Sequence, residues 1–75
     1  MDIGMLWYDA DKGQDLAQKV ARAAEHYRVK YGVAPNVCFV NPAQLPQGPR
    51  LTGGVQVRPD HTVQPNHFWL GVDDL

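Results

Sequence analysis

From Leu16 onward the apolar residues fall at Leu16, Val20, Ala23, Ala24, Tyr27 and Tyr31. These positions follow the 3.6-residue helical period, which gathers the side chains into one stripe. The pattern predicts an amphipathic helix over residues 14–31. Ala17, Ala21, Ala23 and Ala24 have little helix cost and allow close approach to a flat partner such as a sheet. Asp9, Asp11 and Asp15 precede or open the helix, and Arg28 and Lys30 close it, so both ends complement the macrodipole. Gly32 is the expected left-handed residue after the last turn, and Pro35 forbids continuation.

Around this helix the pattern changes to a period of two. Residues 3–8 alternate, with Ile3, Met5 and Trp7 on one side and Leu6 and Tyr8 on the other. Asn36-Val37-Cys38-Phe39-Val40 is a short run rich in β-branched and aromatic residues, apolar on both sides, as an interior strand requires. Residues 41–54 hold three prolines and three glycines and are expected to form a long irregular loop. Val55-Gln56-Val57-Arg58 alternates as a half-exposed strand. Residues 67–72 form the last one, with Phe68, Leu70 and Val72 inward and His67, Trp69 and Gly71 outward. Residues 73–75 are expected to fray.

These elements predict a small two-layer α+β sandwich of order β-α-β-β-β, with one helix on one face of a four-stranded mixed sheet. The first two strands are expected to be parallel, joined by a right-handed crossover, and the last two to form an antiparallel hairpin. One helix covers one sheet face. The other face is then left with some of Trp7, Trp69, Cys38, Val40, Leu6 and Tyr8, depending on register. An exposed apolar patch of that kind marks an interface, with Trp7, Trp69 and Val40 as its expected residues and a second copy of the chain as the simplest occupant.

Composition narrows the picture. Seventy-five residues make one domain, 1–75, with a thin core. The formal net charge of -1 favours neither nucleic acid nor an acidic membrane. A single cysteine excludes an internal disulfide, and no Cys/His grouping suggests zinc. Cys38 lies in an apolar strand without a basic neighbour and reads as an inert core residue. The start, Met1-Asp2-Ile3-Gly4, lacks a basic region, and no apolar run reaches the roughly 18 residues of a membrane span. The expected compartment is the cytoplasm.

Four groups of residues carry candidate chemistry. Asp9-x-Asp11-x-Gly13 follows a strand and precedes a helix. It is similar in placement to the paired carboxylates with which dehalogenase-like phosphoryl-transfer enzymes hold Mg²⁺. The likeness covers five residues, and Gly13 stands where that group has Thr or Val. Read as a calcium loop, the stretch puts Gly at the fifth position rather than the sixth and Val20 where a bidentate Glu is needed. Capping of the helix by Asp11 or a neighbour is the simpler role. Second, Lys19, Arg22, His26 and Lys30 share one flank of the helix, with Asp15 placed to pair with Lys19. That stripe suits phosphate backbone or, more simply, solvent. Third, His61 and His67 flank a turn beside Asp60, one ligand short of a metal site. Arg50 to Gly54 has the composition of an anion-binding nest or of a flexible approach to the hairpin.

No catalytic set, cofactor motif or small-molecule site emerges. The sequence is read as a non-enzymatic interaction or assembly module, homodimeric or docked on a protein partner. The alternatives are a nucleic-acid module using the basic stripe and a metal-dependent hydrolase-like site at Asp9 and Asp11.

Overall fold

The structure, a computed structural model, describes residues 4–73. Among these, one α-helix packs on one face of a mixed five-stranded sheet, the α+β architecture that the hydrophobic pattern implies. The strands are β1 (Gly4–Tyr8), β2 (Val37–Val40), β3 (Arg50–Thr52), β4 (Val55–Pro59) and β5 (His67–Gly71), and the helix is α1 (Leu16–Tyr31). Ile3, Asp74 and Leu75 lie outside the described residues. No helix among the described residues is long and apolar enough to cross a membrane.

The helix forms where its stripe places it and starts at Leu16. Asp15 is the cap: its Oδ1 accepts from Gln18 N at 2.8 Å, and Gln18 Oε1 accepts from Asp15 N at 2.9 Å. This reciprocal box satisfies two of the free donors of the first turn. Gly32 ends the helix at φ 79° and donates to Arg28 O. Val20, Ala23 and Tyr27 are buried, with Leu16, Ala24 and Tyr31 packed at the margin of the core.

Strand order departs from expectation. It is β1-β5-β2-β4-β3, with β2 and β4 parallel and every other pair antiparallel. β1 and β2 therefore point the same way, but β5 lies between them. The expected hairpin of residues 55–58 with 67–72 does not form, because β2 separates the two strands. Burial explains the insertion: Phe68 and Leu70 are fully buried, and a strand with two such residues belongs in the middle of the sheet.

The fifth strand comes from within residues 41–54, so that stretch is not one irregular loop. Asn41 caps a short 3-10 turn at Pro42–Gln44. Arg50–Thr52 then pairs with β4 through a two-residue turn, Gly53 and Gly54, at φ 56° and 79°. Two successive positive φ angles give the turn whose twist suits a hairpin, and two glycines adopt it without strain. The proposed nest at Arg50 to Gly54 is this hairpin.

Hydrogen bonds stitch both ends of the sheet. At one end Asp60 N donates to Val40 O, Asn41 Nδ2 to Val63 O, and Asp9 N to Asn66 O. At the other end Asn36 N donates to Gly71 O, and Asn36 O accepts from Gln56 N. The Asn36 side chain also bonds Asp73 in both directions, at 2.8 and 2.9 Å, so Asp73 is tied down rather than frayed.

Cys38 sits fully buried in the core. Burial pushes its thiol from the usual value near 9 up to about 12. Below that range both folded and unfolded chains hold the proton. Between it and pH 12 the unfolded chain loses the proton and the folded chain keeps it, so this group's contribution to stability falls as pH rises. The stability gap between the wild type and Cys38→Ala is therefore expected to narrow from about pH 8 upward, by at most ~1.4 kcal/mol per pH unit. Urea unfolding of both proteins across this range checks the slope.

Candidate functional site

Strand register assigns every sheet residue to one of two faces. Met5, Trp7, Cys38, Val40, Val55, Val57, Phe68 and Leu70 face the helix, as the pairs Met5–Leu70, Trp7–Phe68, Cys38–Leu70, Val40–Phe68 and Cys38–Val57 require. Two of the three residues expected at an interface are thus removed from it. Val40 has no exposed surface. Trp7 turns toward the helix and stacks on His26, with ring centroids 4.2 Å apart. Trp69, Leu6 and Tyr8 do lie on the open face.

Over this open face no helix or strand lies among the described residues. Leu6, Trp69, Phe39 and Arg58 form one straight row across four adjacent strands, because Leu6 pairs with Trp69, Trp69 with Phe39, and Phe39 with Arg58. Leu6 is 58% exposed, Trp69 36%, and Phe39 is half-buried. Two residues along the strands runs a second row, which starts with the pair Tyr8–His67. Asn41 and Asp60 continue it, since they directly follow the paired residues Val40 and Pro59. Leu51 on β3 adds an apolar residue at the far edge, 69% exposed.

The six-membered part of the Trp69 ring packs on Gly4. A Cβ built on Gly4 would come within 2.4 Å of the ring, so glycine is what lets the indole settle on β1. His67 is also held: its Nδ1 lies 2.9 Å from Pro65 O, which places the proton of the neutral ring on Nδ1 and leaves Nε2 as an acceptor. Its ring tilts against Tyr8 at 4.9 Å. The turn of residues 60–66 rises beside Trp69 and encloses a concavity of about 460 Å³, bordered by Leu6, Asp60, Val63, His67 and Trp69. Asp60 Oδ1 accepts from both Thr62 Oγ1 (2.6 Å) and Thr62 N (2.8 Å). These two bonds, the hydroxyl's first, hold the Asp60 carboxyl below its ordinary range.

The other candidate residues are dispersed or locally occupied. Asp9 is buried, its Oδ1 accepts from Asp11 N, and its Oδ2 has no hydrogen-bond partner. Asp11 Oδ1 accepts from Gly13 N. Both carboxylates thus bond their own connection, and the cap is Asp15. Among the described residues no three His, Cys, Asp or Glu side chains converge as a metal would require. Of the basic stripe, Lys19 is only 9% exposed, while Arg22, His26 and Lys30 are on the surface. His26 presents one ring face to Trp7, and Lys30 Nζ lies 5.3 Å from the Tyr31 ring. Asp15 caps the helix instead of pairing with Lys19, and the ion pair on this helix is Arg28–Glu25 at 2.6 Å.

Phe39, Leu51, Arg58 and Asp60 were not singled out from sequence as members of the open face. Their alternation with Val40, Val57 and Pro59 carried the signal for three of them, and the Gly53-Gly54 turn carried it for Leu51. Comparison of the chain with protein-family models, curated proteins and solved structures found no match.

Replacing Gly4 with Ala should lift the Trp69 ring off β1. The expected result is a loss of about 1 kcal/mol, as for other overpacked sites, with a red-shifted tryptophan emission in a Trp7→Phe background. Unchanged emission would mean that the ring does not rest on Gly4.

Proposed function

We propose that this chain is a non-enzymatic assembly module that self-associates through its open sheet face. The supporting observation is the apolar row Leu6–Trp69–Phe39, which crosses three adjacent strands in the open. Contiguous exposed apolar surface of this kind gains from being covered. The molecule's largest cross-section, 29 × 25 Å, suits the roughly 800 Å² per partner of a standard interface. Among the described strand residues that face away from the helix, Arg58 carries the one formal charge at neutral pH, so the middle of the face desolvates without burying an ion. A buried, unreactive single cysteine suits a reducing compartment, and the cytoplasm is the natural setting.

The two other readings draw less support. A phosphate-binding stripe has three surface residues rather than four, and the ring of one of them is stacked on Trp7. A metal site at Asp9 and Asp11 has both carboxylates turned to local amides.

Sedimentation of the wild type at high micromolar concentration is expected to show a dimer. Leu6→Asp and Trp69→Ala should each weaken it at least tenfold, the effect of losing a central interface anchor. At low micromolar concentration, where association contributes little, the circular dichroism melt of Leu6→Asp should stay close to that of the wild type, because Leu6 is 58% exposed and faces away from the core. A wild type that sediments as a monomer contradicts the proposal.

A further inference from the structure

The two open-face rows differ in chemistry, and they are complementary on three of the four strands, the exception being Phe39 with Asn41, whose amide is bonded to Val63 O and Ala43 N. On β1 Leu6 stands two residues from Tyr8, on β5 Trp69 two from His67, and on β2 Phe39 two from Asn41. At the end of β4 Arg58 stands two residues from Asp60. We infer that two copies meet about a two-fold axis lying in the interface and crossing the strands between these rows, so that Arg58 of each copy pairs with Asp60 of the other. This rests on the proposed self-association through the open face.

Charge selects this axis over its rivals. An isologous interface repeats every contact, so each placement fixes what Arg58 meets. An axis along the strands, between β5 and β2, would set Arg58 over Leu6 and leave it without a counter-charge. An axis crossing the strands through the first row would set Arg58 on its own copy, which is repulsive. Both arrangements leave a guanidinium poorly paired as it loses water. An axis between the rows, level with Phe68 and Val40, exchanges Arg58 with Asp60 at both ends of the relation. It also sets Leu6 on Tyr8 and Trp69 on His67, one aliphatic–aromatic contact and one aromatic–aromatic contact per copy. The strands of the two sheets then run in opposite senses, offset by the roughly 30° twist angle of face-packed sheets.

Among the described residues, neither charged group is spent on an ion pair within its own chain. Arg58 donates to the side chain of Gln56, on the side away from Asp60. Thr62 bonds Oδ1 of Asp60 alone, leaving Oδ2 as an acceptor. Asp60 borders the same concavity as Leu6 and Trp69, so it lies on the side of the sheet that the second copy would cover. A charge-assisted bond across the interface sets register as well as strength.

The test uses two variants, Arg58→Asp and Asp60→Arg, each confirmed as folded by circular dichroism. Alone, each places like charges at both contacts, and its dimer should weaken at least tenfold. Mixed in equal amounts, the two chains bring opposite charges together at both contacts, and a heterodimer of near wild-type affinity should form. Native mass spectrometry with one chain carrying a mass tag reads this directly. If either variant fails to fold, Arg58→Gln and Asp60→Asn take their place: each should weaken the dimer, and mixing should recover part of the loss, because one of the two contacts in the heterodimer is again Arg58 with Asp60. Should the variants dimerise like the wild type, or the charge-reversed mixture stay dissociated while Leu6→Asp still breaks the wild-type dimer, the face stands and this axis is wrong. A monomeric wild type removes both.

Discussion

Strand β5 lies between β1 and β2, and the two-faced character of the molecule follows from that placement. Phe68 pairs with Trp7 on one side and Val40 on the other, and Leu70 pairs with Met5 and Cys38. These pairs put two fully buried side chains directly under α1 and complete the core. The same register turns Trp69 outward, between Leu6 and Phe39. A one-residue slip would exchange these sets and send Phe68 and Leu70 into water. Burial of the core and exposure of the aromatic row are therefore one constraint seen from two sides.

The helix was legible in the sequence because everything that defines it is local. Its stripe, the basic last turn and Gly32 all act within a few residues. Even there the cap was displaced from Asp11 to Asp15, since each Asp of this connection can bond a nearby amide, and the Gln18 side chain selects Asp15. Strand segments were legible for the same reason, through their period of two. Pairing was not, because partners are chosen by the total burial they achieve. Val55–Pro59 and His67–Gly71 follow one another and suggest a hairpin, yet β2, apolar on both faces, is the better neighbour for each.

The open face was legible as a surplus: one helix cannot cover two faces. Its membership was not, because parity depends on the pairing. Trp7 and Val40 had as good a claim as Trp69 until the pairs Trp7–Phe68 and Val40–Phe68 turned both toward the helix. Leu51 was hidden by composition, since prolines and glycines around it read as loop. Gly53-Gly54 between Thr52 and Val55 is nevertheless a two-residue hairpin signal, and positive φ at both glycines is its physical basis. In the sequence Asp60 reads only as a turn residue beside His61. Its place at the end of the second row became visible once Val40 and Pro59 were paired.

A single consequence joins the register to the proposed assembly: the indole of Trp69 is at the surface of one chain and buried between two. Its emission reports this directly in a Trp7→Phe protein, where it is the sole tryptophan. Diluted from high to low micromolar concentration, this protein should show an emission maximum that moves to longer wavelength along one association curve. An emission maximum that stays constant over the whole dilution would contradict the account.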